Sequence, residues 1–540
     1  MNSFQILDLA KPRSKSRQTL MPAIIVLTIL ICISYVALFE PFKARGTRLD
    51  FESKAASTHG LPKSQDAFDF WSGFSKAIAR GKTSFEEIEY LPNTSYPVLT
   101  FKDTTDDKER PELLDISKKQ IEELRKVHKD AVTDFRELGL KLPFVRGTRG
   151  VTTTAAMDAM AILTTSLRML RNSGSKLPVE IWLHTDVDYE ESIYMCENVF
   201  PLLGATCKVM TDFLPPEIDL EINKKFMFKL NAILFSSFEQ VLFLDCDLFP
   251  VMNPDTILTT EPFTSHGFVL WPDHWSSTVS KHYYDIVGRK RLPLTERAST
   301  ESGALLINKD SHAEALLLAA FYNYYGEKIW YRLFSQGATG EGDKETFVPA
   351  IESYGLPFYQ VAEDPQRLGY RCNGKTRAVA SGQLHPYDDF RITSHDIWRN
   401  HPDQDYISDV PALRLLFVHG NMPKYDVPTV LGWKFDDLEW FDMLRCNAGK
   451  GKAHRMWGPK ELTVRKFGWD AEKAVWDSMR WTACEHEHGV RKWVNGTFFS
   501  KPTANVCRDM LLWYDELLPD ERYDPTLTMN RKEVPWGISG

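Results

Sequence analysis

Two aspartates separated by one residue follow an apolar run near the middle of the chain. Residues 241–244 read Val-Leu-Phe-Leu, and Asp245-Cys246-Asp247 come directly after them. Two carboxylates held in one place repel each other unless a cation joins them. A hard divalent ion suits such ligands and commonly bridges to substrate phosphates. The pair therefore predicts a metal that holds a diphosphate; the alternative is a pair of loop aspartates that cap the next turn.

The segments around this pair alternate between strand and helix patterns. The pattern predicts strands at 179–184, 207–211 and 241–244 and helices at 155–171, 190–203 and 223–238. Such alternation indicates an α/β fold, with a mostly parallel sheet covered by helices on both faces. Sheets of this kind bind ligands beyond the carboxyl ends of their strands. Asp245 and Asp247 are expected at such an end.

The composition is that of a folded protein that does not work through bulk positive charge. The 540 residues are 43% hydrophobic and 26% charged, and the formal net charge is -8 at pH 7. An acidic balance argues against a nucleic-acid partner recognised through charge. We therefore expect a large globular domain with appendages.

The N-terminal part predicts a membrane anchor and a stem. Residues 20–39 contain no charged side chain and are long enough to cross a bilayer as a helix. We expect a cytoplasmic tail at 1–19, an uncleaved single-pass signal anchor at 20–39 and a lumenal stem at 40–140. The alternative is a cleaved signal peptide, which the length of the run disfavours. Within the stem, 116–138 predicts a solvated helix or a short coiled coil.

Sequons and cysteines agree with a lumenal location for the bulk of the chain. Sequons begin at Asn93 and Asn495. Six cysteines outside the anchor and the aspartate pair form an even set that can pair in an oxidising lumen: Cys196, Cys207, Cys372, Cys446, Cys484 and Cys507. We expect a bridge between Cys196 and Cys207, which flank one helix, loop and strand. Six buried thiols are the alternative.

An ordered set of segments resembles retaining glycosyltransferases with one nucleotide-binding domain, the glycogenin-like fold. These segments are VTTTAAMDAMAILTTSLRML (151–170), FKLNAILFSSFEQVLFLDCDLFPVMNP (228–254), SGALLINKD (302–310), GEGDKETF (340–347) and LFVHGNMPKYD (416–426). Together with WPDHW (271–275), they resemble more closely the fungal Golgi α-mannosyltransferase family. The resemblance covers about residues 145–430. It implies a GT-A-like, Rossmann-like catalytic domain at 141–430, with 431–540 as a C-terminal extension packed on it.

The resemblance also implies the roles of individual residues. The metal ligands would be Asp245, Asp247 and His419, and the catalytic carboxylates would be Asp343 and Glu301. The donor would be bound by Thr152, Thr153, Thr154, Lys229, Asp245, Ser302, Gly303, Lys344 and Lys424. Taken alone, His419 can instead be a histidine with a backbone partner, Asp343 a helix cap, and the lysines ordinary surface cations. Asp273 and Trp275 are expected on the acceptor side; the alternative for Trp275 is a structural tryptophan.

The function implied by the resemblance is mannose transfer in the Golgi. The family consists of type II membrane proteins that extend mannan chains from GDP-mannose, and Mn²⁺ or another divalent cation would be the cofactor. We expect a retaining enzyme, more similar to the α-1,2 than to the α-1,3 members, acting on mannan or N-glycan outer chains. It can act within a complex of Golgi enzymes. The alternatives are transfer from a UDP-sugar and an inactive lumenal lectin or scaffold.

Overall fold

In the computed structural model of the chain, the first described residue is Gln65, within the region predicted as the stem. The described residues are 65–105, 110–213, 226–338, 340–372, 375–394, 413–421, 423–431, 454–490, 493 and 505–518. All of them belong to one unit, residues 59–540. The predicted tail and anchor, 1–39, lie outside the described residues. Among the helices that are described, none combines the length and the apolar character needed to cross a membrane.

The strands range from two to 11 residues in length, and their apolar residues are mostly buried. They are β1 (Glu89–Tyr90), β2 (Leu114–Asp115), β3 (Val145–Thr154), β4 (Val179–Leu183), β5 (Ala205–Val209), β6 (Phe238–Leu244), β7 (Leu248–Pro250), β8 (Phe268–Ser276), β9 (Ala298–Asn308), β10 (Tyr359–Gln360), β11 (Gln366–Cys372), β12 (Lys375–Leu384) and β13 (Leu415–Gly420).

A seven-stranded sheet in the order β10-β8-β9-β6-β3-β4-β5 forms the centre of the fold. Strands β6, β3, β4 and β5 run parallel, as do β10 and β8. Strand β9 runs antiparallel to both of its neighbours, β6 and β8. The prediction of an α/β fold with a mixed, mostly parallel sheet is therefore confirmed.

Helices cover both faces of this sheet. They are α1 (Gln65–Ala79), α2 (Lys118–Gly139), α3 (Met160–Asn172), α4 (Asp186–Tyr194), α5 (Met227–Phe235), α6 (Phe263–His266), α7 (Lys281–Val287), α8 (Lys309–Tyr324), α9 (Tyr331–Ser335), α10 (Phe347–Tyr354), α11 (Pro386–Ser394), α12 (Val427–Val430), α13 (Lys460–Phe467), α14 (Ala471–Glu485) and α15 (Val506–Leu517). One apolar core includes α1, α2, α5, α8 and α10. A second core includes α3, α14, α15 and a smaller sheet.

The smaller sheet brings a late segment of the chain to the aspartate pair. Its order is β11-β12-β13-β7, and all of its strands are antiparallel. Strand β7 begins directly after Asp247, and β13 pairs with it so that His419 lies opposite Leu248. This pairing decides which residues meet at the edge of the central sheet.

The helix predicted within the stem is part of the core, and our expectation of a solvated helix was wrong. Helix α2 begins after Ser117, whose hydroxyl accepts from the Gln120 amide in a capping box. Its apolar stripe buries Leu124 and Phe135 together with residues of α8. An amphipathic face that finds a partner is buried despite dense charge on the opposite face. The described part of 65–139 therefore shares a core with the residues that follow it.

Two disulfides join segments that are close in sequence. Cys196 pairs with Cys207, as predicted, and Cys484 pairs with Cys507 between α14 and α15. Cys246 is a free thiol. Cys446 and the side chain of Cys372 lie outside the described residues. The two bridges agree with an oxidising environment.

Candidate active site

The aspartate pair lies in a tight turn between β6 and β7. The Asp245 amide donates to the Gly303 carbonyl at 2.8 Å, and the Leu248 amide donates to the Asp245 carbonyl at 3.0 Å. The Gly420 amide donates to the Asp247 carbonyl at 2.9 Å. Three strands thus hold the backbone of the turn, and both carboxylates lie at the carboxyl end of β6.

His419 completes a compact set of three potential metal ligands. One oxygen from Asp245, one from Asp247 and one nitrogen of His419 all lie within 4.8 Å of one another. The Nε2 atom of His419 is 3.3 Å from Oδ1 of Asp247. Two carboxylates and an imidazole are ligands that suit Mn²⁺ and related divalent ions. The donor set therefore fits the predicted cation.

Burial and neighbouring charges give the two aspartates different acidities. Burial raises the pKa of Asp245 to about 6, with Lys229 opposing this shift and Asp247 adding to it. Burial alone would also raise the pKa of Asp247, but His419 and Lys424 outweigh it and hold that pKa well below its usual range. Asp247 is therefore the carboxylate more strongly held in its ionised form, the form that binds a metal.

Lys229 connects the turn to the second predicted carboxylate. From the first turn of α5, its buried Nζ lies 3.2 Å from Oδ1 of Asp245 and 3.1 Å from Oδ2 of Asp343. It also donates to the Ser302 carbonyl at 2.9 Å, and the Ser302 hydroxyl lies 3.2 Å from Oδ1 of Asp343. The ammonium group therefore balances a half-buried carboxylate, Asp245, and a buried one, Asp343, from different segments.

Glu301 contacts the imidazole of His419 rather than the open end of the turn. Its Oε2 lies 3.4 Å from Nδ1 of His419, and its Oε1 accepts from the Gly303 amide at 2.6 Å. A Cβ at position 303 would lie 2.9 Å from Oε1 of Glu301 and 3.2 Å from Cε1 of His419, so only glycine fits between them. Burial would lower the pKa of His419, but Glu301 and Asp247 raise it well above its usual value.

The other two predicted donor-binding lysines, Lys424 and Lys344, occupy different places. Lys424 donates to the Asp247 carboxylate and, at 3.1 Å, to the Gly420 carbonyl. Lys344 instead forms an ion pair with Asp273, with Nζ 2.9 Å from Oδ2. Lys424, like Lys229, therefore contacts the aspartate pair directly, while Lys344 lies with Asp273, which we expected on the acceptor side.

The three threonines that end β3 do not form one surface. The Thr152 hydroxyl donates to the Ser236 hydroxyl at 2.9 Å inside the core, and Thr153 is also buried. Thr154, the last residue of the strand, is half-buried. Because successive side chains alternate between the faces of a sheet, a run of three similar residues cannot line one pocket. Thr154 is the member of the run that lies at the edge.

Sequence reasoning missed two features near this edge. His184 follows β4, and its ring lies 5.5 Å from the ring of Phe228, the residue before Lys229. The strand-end rule that identified Asp245 also applies to His184. The second feature is Glu345, which is fully buried and accepts from the Arg297 guanidinium at 2.8 Å and from the Thr300 amide at 2.6 Å. No local signal identifies that pairing.

Comparison with known proteins finds similarity to mannosyltransferases. The Mannosyl_trans3 model, a family model of mannosyltransferases, matches residues 148–299 and 294–388. The chain is 35% identical over 376 residues to α-1,2-mannosyltransferase MNN24 of Candida albicans, which covers 59% of this chain and 52% of that protein. It is 36% identical over 308 residues to α-1,2-mannosyltransferase MNN2 of Saccharomyces cerevisiae, which covers 51% of each. Over the matched residues, this chain is therefore similar to fungal α-1,2-mannosyltransferases.

Two further matches differ in extent. α-1,2-Mannosyltransferase MNN21 of Candida albicans is 28% identical over 512 residues, which covers 83% of this chain and 74% of that protein. The crystal structure of the galactosyltransferase LgtC with donor and acceptor sugar analogues matches 40% of this chain and 73% of its own, with 10% identity and a TM-score of 0.25. The chain spans about half the length of MNN24 and of MNN2.

Proposed function

We propose that this chain transfers mannose from GDP-mannose to a mannose hydroxyl of a growing glycan, forming an α-1,2 linkage. The convergence of Asp245, Asp247 and His419 at the carboxyl end of β6 is the observation that carries this proposal. The relatives are named α-1,2-mannosyltransferases, which supports mannose as the transferred sugar and α-1,2 as the linkage. The presence of every ligand and of Asp343 disfavours an inactive lectin with the same fold.

Asp245, Asp247 and His419 are the residues that would hold the divalent ion. An ion such as Mn²⁺ supplies positive charge to the diphosphate as the sugar leaves. Lys424, whose Nζ contacts Asp247, is close enough to the ligand set to donate to a phosphate oxygen as a second cation. In this proposal Thr154, His184 and Phe228 lie where the nucleoside would enter.

Asp343 would steady positive charge that develops on the mannose ring. One of its oxygens faces the Lys229 ammonium and the other faces the Ser302 hydroxyl. A carboxylate engaged on both oxygens is a poor nucleophile, which favours a front-face route over a double displacement. In that route the leaving phosphate accepts the proton of the acceptor hydroxyl, and the α configuration is retained. Glu301 would position His419 through Nδ1.

We further propose that the chain is a type II Golgi membrane protein, anchored through 20–39, with a mannan or N-glycan outer chain as acceptor. The two disulfides support an oxidising compartment. Similarity to the fungal mannosyltransferases and the predicted anchor support Golgi residence, which is tested by locating the tagged protein in cells.

The test of the catalytic proposal is a donor panel. Purified protein is incubated with GDP-mannose, UDP-glucose and UDP-galactose, with and without Mn²⁺, and release of the nucleotide is measured. We expect GDP-mannose to be preferred and the reaction to require the ion. If a UDP-sugar is preferred, GDP-mannose is not the donor. If no donor is hydrolysed, the alternative of an inactive lectin is favoured. The linkage and anomeric configuration of the product are then read by NMR.

A further inference from the structure

Three tryptophans of the C-terminal extension donate indole N–H groups to segments beside the metal ligands. The Trp457 indole donates to the Tyr425 hydroxyl at 3.1 Å. The Trp469 indole donates to the Val251 carbonyl at 2.9 Å. The Trp493 indole donates to Oδ1 of Asp426 at 3.2 Å. Each acceptor lies within four residues, along the chain, of Asp247 or Lys424.

The acceptors belong to two short segments that flank the metal ligands. Strand β7, with three residues, carries the chain from Asp247 to Val251, and it pairs with β13. The segment 424–426 follows β13 and turns back so that the Asp426 amide donates to the Lys424 carbonyl at 2.8 Å. Other contacts to these segments include the Thr165 hydroxyl, which donates to the Tyr425 carbonyl at 3.3 Å, and the Val251 amide, which donates to the Leu416 carbonyl at 2.8 Å.

Aromatic packing joins the two segments to Trp457. The Phe249 ring of β7 stacks on Trp457 with centroids 6.2 Å apart, and it lies 5.5 Å from the Tyr425 ring. All three rings are almost completely buried. A displacement of Trp457 would therefore move the strand that starts at Asp247 and the segment that starts at Lys424 together.

Trp457 is itself held firmly within the extension. Glu472 is fully buried and accepts from the Trp457 amide at 2.9 Å, from the Trp476 indole at 3.2 Å and from the Met456 amide. The Arg455 guanidinium donates to Asp470 just before α14. Because the backbone of 455–457 is fixed to α14, the extension presents its indole as part of a rigid body.

We propose that Trp457, Trp469 and Trp493 are positioning residues for the site that binds the metal and the diphosphate. They hold β7 and 424–426 so that Asp247, His419 and Lys424 keep the spacing a cation and a phosphate require. Displacements of about 1 Å in such a site can lower activity about 10²-fold. This inference rests on the proposed function and gives the extension a role in it.

The experiment measures ligand binding by the full chain carrying Trp457→Phe, Trp493→Phe or both substitutions. Phenylalanine keeps an aromatic ring but removes the indole N–H. Binding of Mn²⁺ is read by electron paramagnetic resonance, and binding of GDP with Mn²⁺ by calorimetry. We expect the double variant to bind Mn²⁺ and GDP about 10-fold more weakly, as found when outer partners of metal ligands are removed. The KM for GDP-mannose should rise more than kcat falls.

Trp481→Phe is the matched control. Trp481 lies in α14 of the same extension, and its ring covers the Arg168 guanidinium at 4.1 Å rather than either site segment. We expect this variant to bind as the wild type does. If it weakens Mn²⁺ binding as much as the double variant does, the effect is general destabilisation and the inference is overturned.

The remaining outcomes separate this inference from the proposed function. Wild-type protein that binds neither Mn²⁺ nor GDP overturns both. Wild-type protein that binds them, with a folded double variant that binds equally well, overturns only the inference. If Trp457→Phe prevents folding, Asp426→Ala removes the carboxylate oxygen that accepts from the Trp493 indole. Unchanged GDP and Mn²⁺ binding by that variant would also overturn the inference.

Discussion

Two buried lysines contact different groups at the two ends of helix α5. One of them, Lys229, belongs to this helix, and the other, Lys309, is the first residue of α8. Lys229 is in the first turn of α5, at the carboxyl end of β6, where its ammonium faces Asp245 and Asp343. Lys309 follows β9 and donates to three carbonyls at the end of the helix, those of Ile233, Leu234 and Ser236, at 3.3, 2.9 and 2.7 Å. One lysine meets carboxylates and the other meets backbone.

The pKa values of the two lysines move in opposite directions for this reason. Burial acts to lower the pKa of both side chains. At Lys229 the charges of Asp245 and Asp343 outweigh burial and raise the pKa above its ordinary value. At Lys309 burial prevails and lowers the pKa to about 7, with only Glu180 opposing it. The partners, rather than the depth of burial, decide the charge state.

The difference distinguishes the two edges of the sheet. At the carboxyl edge several charged side chains converge from distant segments, an arrangement that is costly unless each charge is matched or bound to a ligand. At the opposite edge the buried amine of Lys309 contacts carbonyls that the helix leaves without partners. We therefore expect substitutions at the first edge to affect catalysis and substitutions at the second to affect stability.

The largest effect is expected when the ligand set loses Asp247. Asp247→Asn should lower kcat/KM for GDP-mannose about 10³-fold, because an amide provides no charge to hold the ion that stabilises the leaving diphosphate. Steady-state kinetics with saturating Mn²⁺ measures the loss. Asp310→Asn at the opposite edge, which removes an exposed ion pair with Arg146, is the control and should be fully active. Equal activity of the two variants would contradict the assignment of Asp247 as a metal ligand.

The direct comparison of the lysines should give the next largest effect. Lys229→Met should lower kcat about 10²-fold, because Asp245 and Asp343 would repel each other without the ammonium between them. Lys309→Met should keep wild-type kcat per folded molecule and lose thermal stability instead. Single-turnover rates and thermal unfolding of both variants test this. If Lys309→Met lowers kcat more than Lys229→Met does, the expected difference between the two edges of the sheet is contradicted.

A smaller effect is expected at Glu301. Glu301→Gln should weaken Mn²⁺ binding about 10-fold, because the carboxylate that orients His419 through Nδ1 becomes a neutral amide. Equilibrium binding of Mn²⁺, followed by electron paramagnetic resonance, measures this without turnover. Glu352→Gln changes a carboxylate whose ion-pair partner is Arg289, away from the ligand set, and should leave the affinity unchanged. An unaltered affinity in Glu301→Gln would leave His419 without a positioning partner.

The smallest effect concerns stability at the opposite edge. Above about pH 7 the folded chain keeps Lys309 neutral, while the unfolded chain stays protonated up to about pH 10.5. The unfolded state therefore binds more protons, and this lysine makes the free energy of unfolding rise with pH, by about 2 kcal/mol between pH 7 and 9. Denaturant unfolding across that range should show the rise in the wild type but not in Lys309→Met. If the free energy of unfolding changes with pH in the same way in the wild type and in Lys309→Met, this prediction is contradicted.

Part of the fold could be predicted from the sequence, because it depends on the local pattern of residues. The strand predicted at 179–184 is β4 at Val179–Leu183, and the helix predicted at 155–171 is α3 at Met160–Asn172. The role of Thr152 could not be predicted in this way, because a threonine at a strand end gives no sign of which face it occupies. Its hydroxyl is used by Ser236 in the core. The burial of α2 likewise depended on a partner far along the chain.

The amino-acid sequence by itself determined the alternation of strands and helices and the position of Asp245 and Asp247 after an apolar strand. These features depend on hydrophobic periods of two and 3.6 residues, which a short window contains. Tertiary structure alone decided that β13 pairs with β7, that Lys229 lies between two carboxylates, and that tryptophans beyond residue 454 contact the site. Contacts between segments far apart in the chain depend on which surfaces pack together, and no local pattern encodes that choice.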